Sequence, residues 1–139
     1  MVFVYFQWKF YKIFWKKKKL DQKNYYINFK RINSGQHLIK LEGYDNTFND
    51  EWEQKFEIEG FNLKIEGGLW ISDIGSFYTF NEGEFCGEAI SLKTGDGDIQ
   101  YSDFKYDVPA GKYLLSVKGF LRKEKKGFPN PNSGFLFSL

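Results

Sequence analysis

The stretch YSDFKYDVPAGKYLLSVKGF, residues 101–120, decides the fold class. Phe104, Tyr106 and Val108 alternate with Asp103, Lys105 and Asp107. Beyond Pro109, Ala110, Gly111 and Lys112 the apolar set resumes at Tyr113, Leu115 and Val117, with Ser116 and Lys118 between or beside them. Period-two alternation on both sides of a four-residue turn predicts a β-hairpin with one buried face and one wet face. Proline presets φ at the second turn position and glycine closes such turns.

Outward from this stretch the same pattern recurs. Tyr25, Ile27 and Phe29 alternate with polar partners, and Asn33, Ser34 and Gly35 punctuate them. His37, Ile39 and Leu41 form the next run, and YDNTFNDEW (44–52) reads as a loop. Phe56 and Ile58, then Phe61, Leu63 and Ile65, flank Glu59 and Gly60, which predicts a two-residue hairpin turn. Leu69, Trp70 and Ile71 follow Gly67 and Gly68, and residues 73–87 read as a short strand within a long connection. Ile90 and Leu92 precede the turn Thr94-Gly95-Asp96-Gly97-Asp98. After a basic, proline- and glycine-containing connection (123–133), Phe135, Phe137 and Leu139 predict a closing strand. No segment shows a sustained helical period with caps. The expectation is an all-β, single-domain antiparallel β-sandwich of eight or nine short strands over residues 21–139, preceded by an aromatic and lysine-rich extension, residues 1–20.

That extension, MVFVYFQWKFYKIFWKKKKL, has its lysines after the apolar run and no small-residue cleavage site, unlike a secretory signal. It falls short of the roughly twenty apolar residues of a spanning helix. An extra strand, a poorly ordered segment and an interfacial anchor all fit it, and a structural or disordered segment is the expectation, with no membrane span. Cys86 is the single cysteine, so no internal disulfide forms; a reducing compartment or a redox-indifferent role fits this, and a cytoplasmic location is the expectation.

The chain of 139 residues carries a net charge of +2, unevenly placed. Residues 1–19 hold six lysines and no acid, and residues 108–139 hold six basic residues against Glu124. Residues 42–107 hold sixteen carboxylates against four lysines. An acidic middle has the wrong sign for direct nucleic-acid binding and the right sign for docking on a basic protein.

Catalytic chemistry finds little support. His37, the sole histidine, is in phase with Ile39 and Leu41, which predicts packing. One histidine and one cysteine about fifty residues apart make no metal site, and no cofactor is expected. Carboxylates near Cys86 oppose the low thiol pKa a nucleophile needs. Asp96-Gly97-Asp98 resembles half a calcium loop but lacks the third oxygen ligand and the terminal glutamate, so a plain turn is expected. A glycosidase using the i, i+2 carboxylate pairs would need a deep cleft, which a β domain of 139 residues has little spare chain to build, and Trp52 and Trp70 offer a sugar-stacking alternative.

Phe104 to Phe120 (FKYDVPAGKYLLSVKGF) resembles the C-terminal part of the competence protein J family and similar small immunity proteins, through Tyr106, Val108, Pro109, Gly111, Tyr113 and Leu115. The N-terminal extension and the PNPNSG connection depart from that family. The resemblance implies a compact β-sandwich that inhibits a cognate nuclease, including bacterial toxin nucleases. With the acidic middle, it gives the functional expectation: a non-enzymatic inhibitor or immunity protein that blocks a basic nuclease-like partner. The expected partner-binding residues are Glu51, Glu53, Glu82, Glu84, Asp96 and Asp98, all in predicted loops. The alternative is a carbohydrate- or ligand-binding β module using Trp52 and Trp70.

Overall fold

The computed structural model describes residues 2–6, 26–29, 36–73 and 82–139. They form β1 (Val2–Phe6), β2 (Tyr26–Phe29), β3 (His37–Leu41), β4 (Trp52–Ile65), β5 (Leu69–Asp73), a 3-10 turn at Glu82–Glu84, β6 (Ala89–Lys93), β7 (Ile99–Tyr106), β8 (Gly111–Arg122) and β9 (Ser133–Ser138). Among the described residues the 3-10 turn is the only helical element, in line with the all-β expectation. The strands form two sheets, ordered β2-β1-β5-β7-β6 and β3-β9-β8-β4. Contacts divide the chain into two compact units, Met1–Asn33 with Lys64–Gly111, and Ser34–Leu63 with Lys112–Leu139.

Residues 101–120 are not a hairpin. β7 pairs antiparallel with β5 and β6 in the first sheet, whereas β8 pairs antiparallel with β9 in the second. Alternation reports that a strand buries one face; it says nothing about which strand lies alongside. Between them, the Val108 amide donates to the Tyr106 carbonyl (2.9 Å) and Val108 is buried. Pro109 then removes a ladder donor, which suits a chain leaving one sheet for another. A tight hairpin instead joins β6 to β7 through residues 94–98, and β8 returns antiparallel into β9 through a longer loop. Both sheets contain antiparallel ladders, with parallel ones at β1–β2, β1–β5 and β3–β9.

The expected turn at Glu59 and Gly60 is also absent, because β4 runs unbroken from Trp52 to Ile65. Gly60 nonetheless has φ +91, a left-handed residue inside a strand, and that is what its turn-like sequence reflects. Trp52, expected in a loop, begins β4 and is buried.

In the first unit β5 is buried on both faces: Leu69, Trp70, Ile71 and Ser72 are each within 1% of full burial. The Phe85 ring meets Trp70 edge-on (centroids 5.0 Å apart), with Ile90 packed beside them. In the second unit Leu41, Leu115, Val117 and Phe137 are fully buried, and Phe135 meets His37 edge-on. His37 is half-buried against Phe135, in line with the packing expected of it, and its Nδ1 also shares a 2.5 Å hydrogen bond with Ser133 Oγ.

Two glycines of the second sheet lie beneath aromatic rings. A Cβ on Gly119 would fall within the Phe56 ring, and one on Gly134 within the Phe48 ring. Glycine weakens a strand, and an aromatic laid over it restores the lost contact. Phe48 also stacks on Phe120 (4.4 Å, 19°) and meets Trp52 edge-on (4.9 Å). Gly119→Ala is therefore expected to cost about 1–3 kcal/mol by overpacking. Most of that cost disappears in a Phe56→Ala background, and a double-mutant cycle by urea denaturation measures the coupling.

Candidate functional site

Folding redistributes the acidic middle. Among the side chains described in the second unit, eight carboxylates face eight basic groups. Among the side chains described in the first unit, seven carboxylates stand beside three lysines. The basic C-terminal segment supplies the compensation: Lys118 lies 3.6 Å from Glu57, and Arg122 and Lys126 lie 2.7 and 3.3 Å from Glu51.

Glu51 and Glu53 are thus engaged within the chain. Glu51 sits in the turn before β4, and hydrogen bonds from Arg122 and Lys126 hold its carboxyl below the ordinary carboxylate range. Arg122 also lies over the Trp52 ring (4.3 Å) and donates from Nε to the Pro131 carbonyl (2.9 Å). Glu53, near the start of β4, is paired with Lys55 at 2.5 Å, which likewise lowers its pKa.

The other four expected residues belong to the first unit. Glu82 and Glu84 lie in the 3-10 turn that delivers Phe85 to Trp70, and Glu84 is exposed. Asp96 and Asp98 lie in the β6–β7 turn, both exposed. That turn is built by its own hydrogen bonds. The Thr94 amide donates to the Asp98 carbonyl (2.8 Å) and the Gly97 amide to the Thr94 carbonyl (3.0 Å). The Thr94 hydroxyl donates to the Asp96 carboxylate, which keeps Asp96 ionised to lower pH than an ordinary aspartate. Gly97 takes φ +95, a conformation that suits glycine. Of the six residues, two are neutralised within the second unit, and the other four belong to the segments before and after β6 in the first.

Among the described strands β6 lies at the edge of its sheet, and the register of its hairpin contains an irregularity. Ala89 and Ile90 face Phe104 and Asp103, whereas Ser91, Leu92 and Lys93 face Tyr101, Gln100 and Ile99. Ser102 is the extra residue, a β-bulge that shifts the phase of β7 by one. Tyr101 consequently shares a face with Phe104 (centroids 5.7 Å apart), although three residues separate them. Asp103, expected on the wet face, is fully buried in register with Ser72, where the Ser102 hydroxyl donates to it.

Beyond the bulge both faces of the hairpin are open to solvent. Leu92 is 70% exposed on one face, and Ile99 (60%) and Tyr101 (56%) on the other. The result is a two-stranded arm with apolar shoulders and an Asp96/Asp98 tip, and with Glu84 and Glu88 exposed ahead of its base. Exposed apolar groups rimmed by charge mark protein-binding surfaces. Ile99 and Tyr101 were missed as functional residues, and their signal was present: both are apolar at odd positions, in phase with Asp103 and Lys105, the face read as wet.

Among the described residues no group of histidine, cysteine and carboxylate side chains is placed to hold a metal ion. Cys86 is exposed. Trp52 and Trp70 are buried, so neither presents an open ring to a sugar. No described helix is long and apolar enough to cross a membrane. Compared with protein-family models, curated proteins and solved structures, the chain matches none.

A carboxylate whose pKa is depressed in the fold stabilises the protein above its unfolded pKa and loses that contribution as pH falls through its folded value. Glu51, with an ordinary value of 4.5, therefore stabilises the fold at pH 7 and ceases to do so well below pH 4.5. Glu51→Gln is expected to lower the thermal midpoint slightly at pH 7, with the difference from wild type vanishing at acidic pH. Thermal melts across that range check it.

Proposed function

We propose that this protein is a non-enzymatic, cytoplasmic inhibitor or immunity protein that blocks a basic nuclease-like toxin by inserting the β6–β7 arm into its substrate groove. The observation that carries this reading is the arm itself: an acidic turn held rigid by its own hydrogen bonds, set on apolar shoulders open to solvent. Carboxylates at the tip occupy positions where phosphates of the nucleic acid otherwise sit, speeding encounter and excluding substrate. Leu92, Ile99 and Tyr101 supply the apolar area that holds the complex once formed. The likeness of residues 104–120 to the competence protein J family points the same way.

Of the expected binding residues, Asp96 and Asp98 take the leading role and Glu84 a flanking one. Glu51 and Glu53 would have to exchange an internal ion pair for an external one, which removes most of the gain. The reading is tested by cleavage assays with a panel of basic nucleases, including any toxin nuclease found encoded beside this gene. The wild-type protein should inhibit cleavage in a salt-sensitive manner. Asp96→Asn with Asp98→Asn should slow association roughly tenfold, while Tyr101→Ala should mainly speed dissociation. Absence of salt-sensitive binding to any such nuclease overturns the proposal.

A further inference from the structure

The β8–β9 loop, residues 123–132, carries the opposite charge to the arm and is not used by the proposed function. Phe128, at 77%, is the most exposed large apolar side chain among the described residues. Exposure of this degree in a floppy loop would mean little, but this loop is braced. The Lys126 amide donates to Asn132 Oδ1 and Asn132 Nδ2 to the Lys126 carbonyl, each at 2.8 Å. Both the amide and the Nδ2 of Asn130 donate to the Gly127 carbonyl at 3.1 Å. At the loop's base the Arg122 amide donates to the Asn132 carbonyl (3.0 Å). Lys123, Lys125 and Lys126 are exposed and precede the ring by two to five residues, with Glu124 the one acid among them.

We infer that this loop docks on an anionic phospholipid surface, Phe128 entering the headgroup–acyl boundary and Lys123 and Lys125 meeting lipid phosphates, while Lys126 stays paired with Glu51. A braced loop with one highly exposed ring and exposed cations a few residues before it suits the layering of a bilayer interface, apolar below and anionic above. Stacking on nucleic acid would call for a groove and several aromatic platforms, and the loop between β8 and β9 contains no second aromatic residue. Because each lysine adds modestly and one ring inserts shallowly, the binding is weak, reversible and salt-sensitive.

The test is co-sedimentation of the full chain with vesicles of phosphatidylcholine alone or of phosphatidylcholine with phosphatidylserine. The wild-type protein should sediment with the anionic vesicles only. Phe128→Ala should reduce partitioning about tenfold, Phe128→Trp should restore it, and Lys123→Glu with Lys125→Glu should abolish it. The exposure of all three positions predicts unchanged thermal midpoints, so lost binding would not be lost folding. Equal sedimentation of wild type and Phe128→Ala would place any lipid binding elsewhere in the chain and overturn the inference. So would sedimentation with phosphatidylcholine alone, or Phe128-dependent binding to a single-stranded oligonucleotide without binding to vesicles.

Discussion

Arg122 is the group on which the second unit depends. Its guanidinium lies over Trp52, donates to the Glu51 carboxylate and to the Pro131 carbonyl, and is largely shielded from solvent. A shielded charge is tolerated only with partners for its fixed fork of donors, and this one has a carboxylate, a carbonyl and a π face. One side chain thereby joins the turn before β4 to the end of β8 and the approach to β9. By drawing Glu51 into an internal pair, it takes one carboxylate of the acidic middle out of play as a binding group.

Charge counted along the chain and charge distributed by the fold are different quantities, and the difference lies in such long-range pairs. Glu51 and Arg122 are 71 residues apart, and nothing in the local pattern couples them. The strands themselves were largely legible because alternation is local. Runs at Tyr25–Phe29, His37–Leu41 and Phe135–Leu139 became β2, β3 and β9 with small shifts in bounds. Pairing was not legible: which strand neighbours which depends on sequence-distant burial, and so a convincing hairpin pattern turned out to divide between sheets. Gly60 shows a second limit, since a residue that suits a turn equally suits a left-handed position within a strand.

The candidate site was half visible for the same reason. Asp96 and Asp98 stand in a turn that glycines and Thr94 announce locally. The arm's apolar shoulders needed the bulge, and a one-residue bulge leaves no periodic signature except an apolar residue that falls on the wrong face. Tyr101 is that residue. Its contact with Phe104 shows how the extra Ser102 returns it to the apolar side before the strands leave the sheet.

The bulge has a consequence for how such a surface can change. On its sheet side, Asp103, Ser72 and Trp70 are buried, and substitution there carries a folding cost. On its outer side, Leu92, Ile99, Tyr101 and the turn carboxylates are exposed, and replacing them leaves the packed interior untouched. Ser102 thus separates a segment answerable to stability from one answerable only to whatever it meets. The outer segment behaves as an exchangeable head, whose recognition can be rewritten residue by residue while the sheet beneath it keeps its structure.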